Sequence, residues 1–153
     1  MAQFPVGDFL DSLKTALTAR PGLDGVDIYT ADPGPDVNLS SVIVLGSGPI
    51  TGTTPWAAIG TVGHRDDQPT ITATILAVRA GAGDTVAKTA RDRVAALASE
   101  LIDELKTSPQ VGEQTLAVEG FTYTFDQYAA DVGGVSHRVA GLDLKFTPVI
   151  RVS

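Results

Sequence analysis

Two histidines are the side chains of this sequence that ordinarily titrate near neutral pH, and they give the first test for chemistry. His64 and His137 are far apart, and neither belongs to an HxH, HxxxH or HExxH motif. A zinc or iron site needs several converging ligands, and the chain has no cysteine to supply thiolates. The sequence predicts solvated positions for both, with His64 in a hairpin turn beside Arg65, Asp66 and Asp67.

The serine in Gly46-Ser47-Gly48 is the nearest approach to a nucleophile motif. A serine nucleophile needs a neighbouring base and an orienting acid, and the GxSxG elbow that would position it is absent. The segment continues into Pro49 instead of a helix. We therefore interpret Ser47 as a loop residue.

The Gly81-Ala82-Gly83 segment lies between a predicted strand and a predicted helix, where phosphate-binding loops occur. It lacks the third glycine of a dinucleotide fingerprint and the lysine of a P-loop, and Asp84 would repel a phosphate. A tight strand-to-helix connection is the better interpretation.

Neighbouring carboxylates occur in two places, at Asp66-Asp67 and on a predicted helix at Glu100, Asp103 and Glu104. A divalent-cation site needs oxygens converging from different segments, and acids in a turn or along a helix usually face water. The sequence thus predicts no catalytic residue, no cofactor and no metal, and we expect the protein not to be an enzyme.

Hydrophobic periodicity predicts two helices, at residues 5–20 and 85–106, the second with Asp84 as its N-cap. Strands are predicted at 26–30, 41–45, 56–63, 70–79, 115–118 and 139–150, with 41–45 central. Phe121, Tyr123 and Phe125 alternate with polar residues as in a half-buried strand, and Pro148 is expected at a strand end or edge. Residues 30–41 and 46–55 are predicted loops, and residues 64–69 a turn.

This element order predicts a single domain over residues 1–153. Its fold class is α+β, with an antiparallel or mixed sheet and two helices on one face. No segment resembles a secretory signal or a membrane span. The formal net charge of −7 argues against tight binding of nucleic acid, whose phosphates attract basic surfaces.

The order of three segments resembles the tail-terminator (tail-completion) proteins of long-tailed bacteriophages. FPVGDFLDSLKTALTARPGLDGVDIYTADPG is similar to their opening helix, turn and first strand. WAAIGTVGHRDDQPTITATILAVRAGAG resembles their hairpin, and DTVAKTARDRVAALASELIDELK their long helix. The likeness covers about residues 4–151.

The resemblance implies a virion protein of the tail or neck, assembled in the host cytoplasm, with no membrane partner. By this resemblance the subunits are expected to form a homo-oligomeric ring, a hexamer, which caps the major tail tube protein and meets a head-completion (stopper) protein. Genome DNA would pass through the ring without specific binding. As subunit-interface residues we predict Trp56, Ile59, His64, Arg65, Asp66 and Asp67.

Two other functions stay open on the sequence alone. One is a different ring component of the neck or tail, either a head-closure protein or a tube subunit. The other is a small ligand-binding domain with a cleft near residues 46–55. Metal and metabolite binding would favour the second of these.

Overall fold

Two α-helices cover one face of a six-stranded mixed sheet, which confirms the predicted α+β class. The computed structural model describes residues 6–31, 33, 40–53, 65–107 and 115–152. The helices are α1 (Val6–Thr18) and α2 (Asp84–Thr107), and a 3-10 turn spans Pro21–Leu23. The strands are β1 (Asp27–Tyr29), β2 (Ser41–Leu45), β3 (Thr51–Thr53), β4 (Arg65–Ala80), β5 (Thr115–Val132) and β6 (Val135–Val152).

The sheet has the order β1-β2-β4-β6-β5, and β3 pairs with β4 beside this path. β1 and β2 are parallel, whereas all the other pairs are antiparallel. β2 lies between two strands and all five of its residues are buried, so the predicted central strand is confirmed. β5 is the terminal strand of the sheet, and most of its described side chains are exposed.

Each helix buries the apolar stripe that its sequence predicts. α1 buries Phe9, Leu10, Leu13 and Leu17. α2 buries Ala90, Val94, Leu97, Ala98, Leu101 and Leu105. These positions recur every three or four residues, so they share one helix face. The Phe9 ring lies against the Phe146 ring at a centroid distance of 6.3 Å, which joins α1 to the centre of β6.

The start of α2 differs from the prediction. The Ala87 amide donates to the Gly83 carbonyl at 3.2 Å, so Gly83 occupies the N-cap position. Asp84 is the first helical residue. Its carboxylate there still favours the helix through the positive end of the macrodipole.

The turn predicted at residues 64–69 is wrong over residues 65–69, which belong to β4. Arg65, Asp66 and Asp67 pair with β6, and Gln68 begins the pairing with β3. Ladder hydrogen bonds to strands distant in sequence thus override a locally hydrophilic pattern. β3 likewise lies inside the loop predicted over residues 46–55, while the strand predicted at 56–63 falls outside the described residues.

The last third of the chain forms two strands of 18 residues each. β5 joins two predicted pieces through a register shift between Glu119 and Phe121, where Gly120 has a φ of 69°. Pro148 lies inside β6 and not at its end. It falls where the β4–β6 register is interrupted, between Asp67↔Ile150 and Ile71↔Phe146, so its missing amide removes no bond to β4.

Arg20 fastens the turn after α1 to the second half of α2. Its Nε donates to Glu100 Oε2 and its Nη1 to Glu104 Oε2, both at 2.7 Å. These hydrogen bonds, that to Glu100 foremost, raise the pKa of Arg20 above its ordinary value. One guanidinium thereby holds two carboxylates one helical turn apart.

Candidate functional site

The polar residues that the sequence singled out do not converge in the described structure. Trp56, Ile59 and His64 lie outside the described residues. Arg65 and Asp66 are strand residues of β4, and Asp67 is only 4% exposed within the same strand. Asp67 is thus a buried strand residue and not part of a solvated turn. The predicted interface role of this group stays a prediction.

The described side-chain hydrogen bond of His137 is to a residue close to it in sequence. Its Nδ1 lies 2.9 Å from the Val135 carbonyl oxygen, and its backbone pairs with Ala80 and Ala130. Within the described residues, no group of three or more histidines, cysteines or acids could hold a metal ion. Neither helix of the described chain combines the length and the apolar character needed to cross a membrane.

Ser47 takes part in a short chain of hydroxyls on the sheet face away from the helices. Ser47 Oγ lies 2.6 Å from Thr74 Oγ1, which donates to Asp143 Oδ1 at 2.7 Å. The described histidine, His137, is not beside the serine, because it lies six residues along β6 from Asp143, about 20 Å away. The contacts fix the bend after β2, which agrees with the interpretation of Ser47 as a loop residue.

The Gly81-Ala82-Gly83 segment is a tight connection between β4 and α2. Gly81 and Gly83 have φ angles of 119° and 97°, which favour glycine. The Gly81 amide donates to the Ser136 carbonyl at 2.8 Å, so it is already occupied. This geometry agrees with the interpretation of the segment as a connection.

The most unusual feature of the described surface is a row of exposed aromatic side chains on β5. Tyr123 is 72% exposed, Tyr128 52% and Phe125 39%. We call these three residues the aromatic edge. β5 is the last strand of the sheet and pairs only with β6 among the described strands, so no described strand occupies its outer backbone groups.

The aromatic edge presents rings on both faces of the sheet. Tyr123 and Phe125 lie opposite Leu144 and Leu142 in the ladder, which places them on the helix side. Tyr128 lies opposite Val139 and projects from the other face. A partner that binds this strand would therefore meet an aromatic surface on either side of the backbone.

The predicted half-burial of Phe121, Tyr123 and Phe125 is thus wrong for two of the three. Phe121 is half-buried beside Phe146. α2 packs mainly over β4 and β6 and contacts β5 less, in part through Gln127, so Tyr123 and Phe125 stay exposed. Tyr128 was missed at the sequence level. A signal was present, because the run TYTFDQY has aromatic residues without any aliphatic neighbour.

β5 also carries charge of one sign. Glu119, Asp126 and Asp131 are exposed, and the strand has no lysine or arginine. Acidic side chains on an edge strand oppose the pairing of two identical edges. These acids therefore oppose the antiparallel pairing of β5 with a second copy of itself.

Comparison with known proteins gives little further information. No known protein family matches the chain, and no curated protein sequence matches it. Among solved structures the chain is similar to one described as "Virion of native gene transfer agent (GTA) particle", at 18% identity over 93% of each chain. The TM-score of that superposition is 0.44, and a likeness this distant does not determine what this chain does.

Proposed function

We propose that this chain is a structural protein of a phage-like virion, a tail terminator that assembles as a ring on the end of the tail tube. In this role it stops tube growth and forms the surface to which a head-completion protein docks. The observation that carries the proposal is the aromatic edge. The resemblance of three successive segments to tail terminators supplies the kind of assembly.

Burial of the aromatic edge would provide the driving force for assembly. Tyrosine and phenylalanine remove large apolar areas from water when they are covered, and aromatic residues are enriched in the centres of interfaces. An edge strand of 18 residues that no other described strand covers, with exposed rings, is also a hazard for aggregation in a monomer. A neighbouring subunit that covers this edge would remove the hazard and would account for the exposed rings.

The charge of β5 favours a ring over a two-fold dimer. In an isologous dimer the same patch meets itself, so the acids Glu119, Asp126 and Asp131 would face their own copies. A heterologous contact joins the patch to a different surface of the next subunit, and such contacts close into rings. No catalytic residue is needed for this function.

An acidic protein suits a channel for DNA. The net charge of −7 would repel phosphates and limit adhesion to passing duplex. We expect a ring of about six subunits, as the resemblance implies, and no specific binding of nucleic acid.

The proposal is tested by tube growth. Purified tail-tube protein is polymerised with and without this chain, and tube lengths are measured by electron microscopy. We expect short tubes with a ring at one end, and uncontrolled growth with Tyr123→Ser/Phe125→Ser. The matched control Thr122→Ser/Thr124→Ser, on the same strand, should act like wild type. Tubes of equal length with and without the protein would overturn the proposal.

Particles assembled without the protein distinguish a tail terminator from a head-closure protein. Overlong tubes indicate a terminator, whereas normal tails beside heads that leak DNA indicate a head-closure protein. A strictly monomeric chain that fails to bind tubes would count against both.

A further inference from the structure

Three arginines lie close together on the helix side of the sheet, at the end where β4 stops. Arg79 and Arg138 are directly opposite in the β4–β6 ladder. Arg93 projects from α2, and its Nε donates to Ser41 Oγ at 3.4 Å. Arg79 Nη2 donates to the same oxygen at 3.4 Å, so two guanidinium groups converge on one hydroxyl that is itself 6% exposed. We call Arg79, Arg93 and Arg138 the arginine cluster.

No ion pair found among the described residues involves a member of the arginine cluster. Arg79 Nη1 donates to the backbone carbonyls of Ser40 and Val78, both at 2.8 Å. By contrast, most donor groups of Arg93 and Arg138 have no protein acceptor among the described residues.

Like charges directly opposite in a ladder destabilise a sheet, and half-buried guanidinium groups lose part of their hydration. The arrangement therefore costs stability in the isolated chain. A ligand with carboxylates would offset that cost, because arginine forms paired hydrogen bonds to a carboxylate and stacks on aromatic rings.

Building on the ring proposed above, we infer that the arginine cluster receives the acidic, aromatic β5 edge of the neighbouring subunit. β5 supplies both chemistries that the cluster binds: the acids Asp126 and Asp131, and the rings of the aromatic edge. The three cations of the cluster thus match a strand whose exposed charges, Glu119, Asp126 and Asp131, are all acidic. The net charge of −7 makes phosphate of nucleic acid the weaker candidate.

The β5 edge of the same subunit does not fill this role. Ser41 lies on β2, three strands from β5 in the sheet, which is about 14 Å at the usual strand spacing. Arg138 lies on β6 directly opposite Ala129 of the same subunit's β5, and Asp131 is diagonal to it, but Arg138 and Asp131 form no ion pair. We therefore assign the partner carboxylates to a second copy. Because the arginine cluster and the β5 edge are different surfaces, this contact would repeat around a ring.

The test reverses charge on each surface separately. Arg93→Glu/Arg138→Glu alters the cluster, and Asp126→Lys/Asp131→Lys alters the edge. The assembly state of each full-length protein is followed by mass photometry and sedimentation over a concentration series, alone and on tail tubes. Thermal unfolding verifies that each variant is folded, and Arg91→Glu, an exposed change elsewhere on α2, is the matched control.

We expect each two-residue variant to need at least roughly tenfold more protein for half-assembly, because each places like charges in the contact. A 1:1 mixture should recover rings, since each copy offers the charge that the other now lacks. The protein with all four changes should also assemble alone.

Folded variants that assemble as wild type would overturn the inference, as would a mixture that stays dissociated like its components. In either outcome wild-type rings that cap tubes would leave the proposed function standing. A wild-type chain that neither oligomerises nor binds tubes would remove both.

Discussion

Tyr123 of β5 and Leu144 of β6 are directly opposite in the ladder and share one face of the sheet, yet Tyr123 is 72% exposed and Leu144 is 1% exposed. The boundary of the core therefore runs between two adjacent strands. It lies there because α2 packs mainly over β4 and β6 and contacts β5 less. The exposure of Tyr123 and Phe125, the two rings on the helix side, follows from the position of this helix.

The first prediction separates assembly from stability at that boundary. Tyr123→Ser should change the free energy of unfolding of the monomer by less than about 1 kcal/mol, because an exposed strand position contributes little beyond propensity. Leu144→Ala should cost about 2–5 kcal/mol through a cavity in the core. Urea denaturation measures both. A large loss with Tyr123→Ser would mean that this ring belongs to the core.

The second prediction concerns the close approach of β3 to β4. Gly52 is directly opposite Pro69, and a Cβ there would lie 2.7 Å from Pro69 Cα and 2.9 Å from the Gln68 oxygen. Since both atoms are backbone, Gly52→Ala should cost about 1–3 kcal/mol of unfolding free energy.

The matched control for that substitution is Gly7→Ala. Gly7 lies in α1, where an added Cβ meets nothing within 4 Å, so this change should be neutral or stabilise by up to about 1 kcal/mol. Thermal and urea unfolding compare the two. If the two variants have the same free energy of unfolding, the backbones of β3 and β4 do not approach each other this closely at Gly52.

The third prediction concerns Arg20, whose side chain is 25% exposed beside Glu100 and Glu104. Arg20→Ala should cost about 1 kcal/mol, and Arg20→Lys should recover part of this because one ammonium cannot form both bonds of the guanidinium fork. The control is Arg91→Ala, whose pair with Asp92 is about half exposed and should contribute nothing measurable.

Salt, not pH, is the experimental variable for this bridge. A raised pKa on a cation adds stability that is fully present at every pH below the ordinary, strongly basic pKa of arginine. Arg20 therefore keeps its charge at every pH used for a folded protein. The difference between wild type and Arg20→Ala should shrink as the salt concentration rises. A difference that is unchanged at 1 M salt would indicate packing by the arginine stem instead.

The fourth prediction tests the hydrogen bonds that join Ser47 to Asp143 through Thr74. Thr74→Val keeps the shape of the side chain but removes the oxygen that joins Ser47 to Asp143. We expect a loss of about 1 kcal/mol, the usual net contribution of one or two such bonds. Thr72→Val on the same strand is the control, since its backbone carbonyl, not its hydroxyl, binds Ser47.

The sequence predicted those parts of the fold in which local pattern and tertiary environment agree. The stripes of α1 and α2, the buried run of β2 and the alternation of Ile71, Ala73, Ile75 and Ala77 all face the core. Each has a period that matches its element, so burial follows from the chain itself.

The errors arose where distant strands decide the structure. Residues 65–69 look like a turn but are held in β4 by β6 and β3, which are far along the chain. Phe121, Tyr123 and Phe125 have one alternating pattern, but whether a helix covers them depends on the lateral position of α2. The arginine cluster depends on three elements at once, so no single window of sequence contains it.

The β5–β6 hairpin also bears on how the chain folds. Its strands are joined at Gly133-Gly134, both with positive φ, so the pairing can propagate outward from a tight turn at small entropic cost. The union of β4 with β6, by contrast, must wait for the closure of a loop that contains all of α2. We therefore expect the aromatic edge to be exposed early in folding, at the stage when chains aggregate most readily. Glu119, Asp126 and Asp131 would then act as gatekeepers, because their like charges keep partly folded chains from pairing through this edge.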